Sequence, residues 1–239
     1  LRMVESVRQV NPKIKFYQAS TSELYGKVHE TPQTENTKFW PRSPYGVAKL
    51  YGHHITINYR EAYNMFASTG ILFNHESPMR GEDFVTRKIS KGIALWKKDK
   101  RPIILGNLNA KRDWGHAEDF VEGMQLIMNH NKPDDFVLAT GIIHTVKEFL
   151  EMTLDYLGIK YYWKGNDCFE EVTNDLISTT DTKHFRPAEV DILQGDATKA
   201  KTELGWKHKH DVHSLMVDMV EADMRRYYKK PFDHPDNTL

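Results

Sequence analysis

The sequence contains a single cysteine, Cys168, among its 239 residues. One thiol cannot form an internal disulfide framework or a cysteine-based zinc cluster. No apolar run approaches the roughly 20 residues that cross a bilayer, and no signal-peptide pattern opens the chain. We therefore expect a cytoplasmic protein that binds neither a metal nor a membrane.

The sequence also lacks an excess of charge of either sign, since 33 Lys and Arg residues balance 33 Asp and Glu residues. A neutral chain has no bulk electrostatic attraction to nucleic acid or to an anionic membrane. We expect no nucleic-acid partner, and any phosphate group that the protein binds must be held by local cations.

Short apolar runs alternate with helical patterns along most of the chain. Residues 13–19 (KIKFYQA) and 70–73 (GILF) are typical of strands, and a three-to-four spacing of apolar residues from Tyr45 predicts a helix. Ser43 is a suitable N-cap for that helix. Strands that alternate with helices predict an α/β fold with a doubly wound parallel sheet. We expect the polar stretch 165–195 to be irregular.

Two of the predicted strands end in polar side chains. KIKFYQA runs into Ser20-Thr21-Ser22-Glu23, and GILF runs into Asn74-His75-Glu76-Ser77. Ligands of open α/β sheets bind beyond the carboxyl ends of the strands. If the two strands are parallel, both polar clusters face the same crevice.

Tyr45 and Lys49 are four residues apart on the predicted helix and therefore share a face. An ammonium group beside a phenol stabilises the phenolate, which makes the pair a usable general acid or base. A hydroxyl from Thr21 or Ser22 can hold the same substrate oxygen. The spacing alone is weak evidence, because such pairs are common on solvated helix faces.

Each of these residues also has an ordinary structural interpretation. Thr21 and Ser22 can close a turn through bonds to the backbone, Glu23 can be a surface acid, and an isolated His75 is more often structural than functional. What favours an active site is the joint occurrence of Thr21, Glu23, Tyr45 and Lys49.

The motif Tyr45-Gly-Val-Ala-Lys49, with Thr21 upstream, resembles the extended short-chain dehydrogenase/reductase superfamily. Longer strings between about residues 16 and 206 resemble, more particularly, the GDP-mannose 4,6-dehydratase family. Among them are QASTSELYG, PRSPYGVAKLYG, GILFNHESPMRG, LGNLNAKRDWGHAEDF and FRPAEVD, and the segments NHESP and LGNL-x-A-K-R-D-W-G-H are the most specific.

This resemblance implies a lyase that uses NADP to convert GDP-mannose into GDP-4-keto-6-deoxymannose, the first step towards GDP-fucose. It implies a Rossmann-like NADP-binding domain formed by residues 1–74 and 114–141, and a substrate-binding domain formed by 75–113 and 142–239. It also implies a homodimer or a homotetramer.

The resemblance also implies a role for each residue of the candidate active site. Tyr45 takes the proton of the sugar 4-hydroxyl, Lys49 supports the phenolate and binds the nicotinamide ribose, and Thr21 holds the 4-oxygen. Glu23 removes the proton on carbon 5. A related 4-epimerase needs no base at carbon 5, so Glu23 favours dehydration.

Further residues match binding positions of the family. Those that contact the cofactor are Tyr45, Lys49, His75 and Arg80; an arginine suits the additional phosphate of NADP. Those that contact the substrate are Thr21, Ser22, Asn74, Lys88, Asn107, Arg112, Arg186 and Glu189.

One departure from the family is large. The glycine-rich turn that carries the cofactor diphosphate occurs nowhere in this sequence, which opens within an amphipathic helical pattern. We expect about one hundred residues of the parent protein to be absent, and the chain alone to be inactive. The alternatives are a related nucleotide-sugar epimerase or reductase, and a non-catalytic fragment or scaffold.

Overall fold

A computed structural model of the chain describes residues 1–184 and 192–228. Its helices and strands alternate, as the sequence predicts. The helices are α1 (Arg2–Val10), α2 (Pro44–Tyr63), α3 (Val85–Asp99), α4 (Ala117–Asn129), α5 (Val146–Tyr156), α6 (Thr198–Leu204) and α7 (Val212–Asp223). The strands are β1 (Phe16–Ala19), β2 (Ala67–Leu72), β3 (Asn74–Glu76), β4 (Ile103–Leu105), β5 (Lys111–His116), β6 (Asp135–Leu138), β7 (Ile143–Thr145), β8 (Tyr161–Lys164), β9 (Asp167–Glu170), β10 (Leu176–Thr180) and β11 (Ile192–Leu193).

The chain divides into two compact units. The first contains Leu1–His75, Arg112–Ile143 and the described part of Ala188–Lys209. The second contains Glu76–Lys111 and the described parts of His144–Pro187 and His210–Leu239.

The compact units do not coincide throughout with the expected domains, in which residues 75–113 and 142–239 form the substrate-binding domain. The segment around α6 belongs to the first unit because it packs on β6. Ala200 and Trp206 share a buried cluster with Phe136, and Nζ of Lys199 donates to the carbonyl of Asp135 at 2.9 Å. Which unit serves the cofactor and which the substrate stays a prediction.

The first unit is built on a parallel sheet in the order β1–β2–β6, which confirms the predicted α/β class. Neighbouring residues of a strand point to opposite faces. Phe16 packs with the buried cluster of α1 and α2, whereas Tyr17 packs with the cluster that includes Phe120 of α4. The sheet is therefore covered on both faces.

Strand β1 lies at the edge of this sheet. Among the described residues it pairs only with β2. A cavity of about 530 Å³ lies beside it on one face, lined by Val4, Phe16 and Ile55 among others. A second cavity, of about 270 Å³, is lined by Tyr17 and Met124 on the other face. Each face of the sheet therefore has a cavity with apolar lining residues beside the edge strand β1.

The second unit contains a mixed sheet in the order β4–β10–β9–β8. β4 and β10 are parallel, and β9 runs antiparallel to both β10 and β8. The expectation that 165–195 is irregular is therefore wrong for β9, β10 and β11. β8 and β9 form a hairpin whose turn includes Gly165, which adopts a left-handed conformation with φ of +63°.

No helix within residues 1–184 and 192–228 is both long enough and apolar enough to cross a membrane.

Candidate active site

The polar stretch after β1 forms a short turn at the carboxyl end of the parallel sheet. Thr21 precedes a single 3-10 turn, Ser22–Leu24, and its Oγ1 accepts a hydrogen bond from the backbone N–H of Glu23 at 3.2 Å. The turn-closing role that the sequence allowed for Thr21 is thus real. It uses the hydroxyl as an acceptor and leaves the O–H to donate to a ligand.

Ser20 is a residue that the sequence analysis did not select. It is buried at the end of β1, and within the described part of the chain its Oγ has no hydrogen-bond partner. A buried hydroxyl without a partner is unfavourable, and here it directly precedes the candidate residue Thr21. The sequence signal was its place in the hydroxyl-rich string after the strand.

Helix α2 carries Tyr45 and Lys49 on its first two turns. The helix begins as predicted, with Oγ of Ser43 accepting from the N–H of Gly46 at 3.0 Å and Pro44 as the first helical residue. Tyr45 is 54% exposed, and Nζ of Lys49 lies 5.6 Å from the centroid of its ring. The phenol is therefore open to a ligand and has a cation beside it.

Close packing joins α2 to the turn that contains Glu23. A Cβ added at Gly46 would approach the carbonyl oxygen of Glu23 to 2.9 Å, so the backbones meet here because residue 46 is glycine. Nζ of Lys49 donates to the carbonyl of Ala19 at 2.9 Å. The structure thus brings together the backbone segments that carry Thr21, Glu23, Tyr45 and Lys49.

Asn74 and His75 follow the next parallel strand, β2, at the same edge of the sheet. The ring of His75 stacks on Phe120 with centroids 5.0 Å apart, and its Nδ1 lies 2.8 Å from the carbonyl oxygen of Phe73. A carbonyl can only accept, so Nδ1 carries the proton of this bond. Because β1 and β2 are parallel, the expectation that both polar strand ends share one edge is confirmed.

Asp113 anchors the carboxyl end of β6, the third strand of the sheet. Its carboxylate accepts from the N–H and the hydroxyl of Thr140, at 2.9 and 2.6 Å, and from the N–H groups of Gly141 and Gly195. Burial raises the pKa of Asp113, and these hydrogen bonds oppose the rise. Asp113 therefore holds the backbone of residues 140, 141 and 195 together at this edge of the sheet.

The other candidate binding residues are divided between the two units. Arg112 lies half-buried on β5 in the first unit. Arg80, Lys88 and Asn107 lie in the second unit. Lys88 stands in the first turn of α3, and Oδ1 of Asn107 accepts from the N–H of Asn109 at 2.9 Å.

Two candidate substrate residues, Arg186 and Glu189, lie outside the described residues. Their roles stay predictions from the resemblance, as do the roles of the other candidate residues.

The residues present fit one part of a nicotinamide dinucleotide. An exposed phenol, an adjacent ammonium and the unpartnered buried hydroxyl of Ser20 offer polar contacts at the carboxyl end of β1. Such strand ends are where dinucleotides bind in these sheets. No glycine-rich turn for a diphosphate occurs in the sequence.

Comparison with known proteins agrees with the motifs. A family model described as "GDP-mannose 4,6 dehydratase" matches residues 1–219. GDP-mannose 4,6 dehydratase of Homo sapiens is 50% identical over 238 residues, which cover 97% of this chain and 64% of the human protein. GDP-mannose 4,6-dehydratase of Sinorhizobium fredii is 49% identical over 231 residues, covering 94% of this chain and 66% of the relative. The chain thus spans less than two thirds of the length of these relatives.

Solved structures of lower sequence identity share the fold. The structure of RMD from Pseudomonas aeruginosa, complexed with NADPH, matches with a TM-score of 0.78 at 18% identity, covering 94% of this chain and 71% of that one. dTDP-glucose 4,6-dehydratase from Bacillus anthracis, in complex with NAD, has a TM-score of 0.77 at 20% identity, covering 97% and 68%. UDP-glucuronic acid 4-epimerase from Bacillus cereus has a TM-score of 0.78 at 18% identity, covering 95% and 66%.

Proposed function

Because the chain belongs to the GDP-mannose 4,6-dehydratase family, we propose that the full-length protein converts GDP-mannose into GDP-4-keto-6-deoxymannose and water. The observation that carries the proposal is the meeting of α2 with the turn after β1. It places an exposed Tyr45 and its neighbour Lys49 against the segment that holds Thr21 and Glu23.

In this proposal the chain's own residues move two protons. Tyr45 accepts the proton of the sugar 4-hydroxyl, while the hydroxyl of Thr21 donates to the 4-oxygen and keeps it in place. Lys49 stabilises the phenolate through its charge. Bound NADP would supply the redox chemistry, taking up hydride from carbon 4 and returning it at carbon 6.

Glu23 is the residue that makes the proposed reaction a dehydration. A 4-ketone acidifies the proton on carbon 5, and the carboxylate of Glu23 removes that proton and passes it to the hydroxyl that leaves carbon 6, so that water departs. The proton held by Tyr45 is then given to carbon 5 as hydride returns at carbon 6. The carboxylate is half-buried and lies two residues after Thr21. A base placed beside the group that holds the 4-oxygen reaches the neighbouring carbon of the same sugar ring.

We include three further points in the same proposal: NADP as the cofactor in preference to NAD, a cytoplasmic location, and self-association. The RMD structure in complex with NADPH and the presence of Arg80 favour NADP. Exposed apolar side chains on the first two helices, among them Met3, Val47 and Tyr51, favour association with a second copy as a homodimer or homotetramer.

A related 4-epimerase is the second candidate, since one of the matching folds is a UDP-glucuronic acid 4-epimerase. An epimerase would use Thr21, Tyr45 and Lys49 but would need no base at the position of Glu23. A labelled substrate separates the two functions. With GDP-mannose deuterated at carbon 4, the dehydratase transfers deuterium to carbon 6 of a 4-keto product, whereas an epimerase returns it to carbon 4.

The test is a mass and NMR analysis of the product formed by the full-length protein with NADP. Deuterium at carbon 6 would support the proposal. Deuterium retained at carbon 4 of an epimer, or no turnover by the full-length protein, would contradict it.

A further inference from the structure

A closed loop connects the turn that carries Glu23 with the helix that carries Tyr45. The N–H of Trp40 donates to the carbonyl of Leu24 at 3.0 Å, and the N–H of Lys27 donates to the carbonyl of Trp40 at 3.0 Å. The loop therefore leaves and returns at one point. That point lies directly after the 3-10 turn and shortly before the start of α2.

Gly26 lies at this crossing point, and the loop can close there because residue 26 has no side chain. Its φ of +51° is in the left-handed region that glycine adopts without strain. A Cβ at this position would come within 1.9 Å of the carbonyl oxygen of Trp40 and 2.8 Å of Cα of Pro41. Both distances are far below van der Waals contact, so the backbone of Trp40 and Pro41 rests directly on Gly26.

Gly46, near the start of α2, meets the other side of Pro41. A Cβ at Gly46 would lie 3.0 Å from Cβ of Pro41 and 2.9 Å from the carbonyl oxygen of Glu23. Unlike Gly26, Gly46 has an ordinary helical backbone. Trp40 and Pro41 thus form a spacer, held between a glycine after the turn of Glu23 and a glycine on the helix of the candidate base.

Two of the groups proposed for hydride transfer, Thr21 and Lys49, are anchored to β1 and not to the spacer. Thr21 directly follows the strand, whose pairing continues up to Ser20 because the N–H of that residue donates to β2 at 2.9 Å. Lys49 is tied to the same strand by its bond to the carbonyl of Ala19. Glu23, in contrast, lies beyond the strand, in the 3-10 turn that is hydrogen-bonded to the spacer.

Resting on the proposed function, we propose that Gly26, Pro41 and Gly46 are positioning residues. Through the spacer they set the separation between the carboxylate of Glu23 and the phenol of Tyr45. These two groups act on neighbouring positions of one sugar ring, the hydrogen on carbon 5 and the 4-hydroxyl. A displacement of about 1 Å costs about 10²-fold in rate. Because the two groups lie on different segments, the spacer is what keeps both within reach of one bound sugar.

The first test is Gly26→Ala in the full-length protein, followed in a single turnover of GDP-mannose. Absorbance at 340 nm reports hydride transfer, and product analysis reports dehydration. The variant should reduce its cofactor within about threefold of the wild-type rate but form the 4-keto-6-deoxy product about 30-fold or more slowly, so that reduced cofactor accumulates. The KM for GDP-mannose should stay within about threefold. An equal loss in both rates, as from impaired folding, or no loss in either would overturn the inference.

Gly205→Ala is the matched control for backbone strain. Gly205 also has a left-handed conformation, with φ of +67°, but among the described residues no atom beyond its chain neighbours lies within 4 Å of the position of its Cβ. The substitution imposes similar strain without displacing another segment, so both rates should stay within about twofold of the wild type. A loss of product formation in Gly205→Ala as large as in Gly26→Ala would contradict the proposal.

Gly46→Ala crowds the spacer from the other side and decides the question if Gly26→Ala does not fold. Alanine is favoured over glycine within a helix, so the backbone of α2 tolerates the change. The methyl group would press on Pro41 and on the carbonyl of Glu23, and product formation should fall about tenfold or more while reduced cofactor still forms. Gly52→Ala is the control on the same helix, because the atoms nearest to a Cβ there belong to the side chain of Gln18, at 3.4 Å and beyond. Equal product rates in these two variants would overturn the inference.

The same measurements separate a failure of the inference from a failure of the proposed function. A wild-type full-length protein that forms neither reduced cofactor nor a 4-keto product from GDP-mannose would refute the proposed function, and the inference with it. A wild type that forms both, together with Gly26→Ala and Gly46→Ala variants that match their controls, would refute the inference alone.

Discussion

Lys49 donates a hydrogen bond from its Nζ to the carbonyl oxygen of Ala19 at 2.9 Å. This bond joins the second turn of α2 to the last residue of β1, 30 positions earlier in the chain. It fixes the ammonium beside the ring of Tyr45 and next to the hydroxyl-rich turn. A lysine that is held by the backbone of the strand is positioned before any ligand arrives, which favours an active site over a solvated helix face.

The first prediction concerns Glu23. In the full-length protein, Glu23→Gln should retain hydride transfer from carbon 4 but lose dehydration, because an amide cannot take the proton from carbon 5. We expect product formation to fall by about 10² to 10⁴, while absorbance at 340 nm still reports reduced cofactor in a single turnover. Glu61→Gln, an exposed acid on α2, is the control. Equal loss of both steps with unchanged substrate affinity would count against the assigned role.

The second prediction concerns Tyr45. Tyr45→Phe removes the group that accepts the 4-hydroxyl proton, so hydride transfer itself should fail and no absorbance at 340 nm should develop. We expect a loss of about 10² to 10⁴ in rate. Tyr51→Phe is the matched control, because Tyr51 is an equally exposed tyrosine on the same helix. Normal cofactor reduction in Tyr45→Phe would exclude it as the base.

The third prediction concerns the chain of 239 residues expressed alone. Without a glycine-rich turn it lacks the backbone N–H groups that hold a cofactor diphosphate. It should therefore bind NADPH at least about a hundredfold more weakly than the full-length protein. Fluorescence titration of both polypeptides measures the difference. Turnover of GDP-mannose by the chain without any complementing segment would refute this expectation.

The fourth prediction concerns His53, which is 3% exposed and packs edge-on against Phe39. Burial lowers the pKa of His53 from 6.5 to about 4, and the neighbouring charges of Asp135 and Arg60 act in opposite directions. Since the folded state binds the proton less readily than the unfolded state, this group's stabilisation is present above pH 6.5 and is lost as the pH falls towards 4. Its contribution should drop by about 2 kcal/mol between pH 7 and pH 5.

The measurement for His53 is the urea midpoint of the full-length protein at the two pH values. His53→Leu removes the titrating group, and Nδ1 of His53 has no hydrogen-bond partner among the described residues to be lost with it. The variant should therefore show a smaller drop between pH 7 and pH 5 than the wild type. His54→Leu, at the exposed neighbouring position, should retain the full drop. Identical pH dependence in both variants would show that His53 is not the cause.

Much of the first unit follows from local sequence. The N-cap Ser43, the first-turn Pro44 and the apolar spacing place the start of α2 within one residue of the observed one. The two polar strand ends and the parallel pairing of β1 with β2 are also as predicted. The start of α2 depends on residues that are close in sequence. The shared edge of the two strand ends follows because the carboxyl ends of parallel strands lie on the same side of a sheet.

Some strands were not recognised in the sequence, either because they depend on distant partners or because they are very short. β5 contains Lys111, Arg112 and Asp113 and has no strand-like apolar run; the partners of its buried Asp113 lie 27 or more positions away. β9 and β10 are short and bury few apolar side chains, so their alternation is too brief to detect.

The burial of Glu76 and its ion pair with Arg80 were likewise missed in the sequence. Its place four residues before Arg80 was a usable signal. Nothing local, however, indicated that the carboxylate would be buried against Thr86.

The edge position of β1 affects how the isolated chain should behave in solution. A four-residue strand whose second side is unpaired in the part of the chain that the structure describes presents a row of N–H and C=O groups that can template another strand. The apolar hollows on both of its faces would add hydrophobic attraction to that pairing. At high concentration the isolated polypeptide should therefore form oligomers through its exposed edge, and a separately added segment that caps this edge should keep it monodisperse.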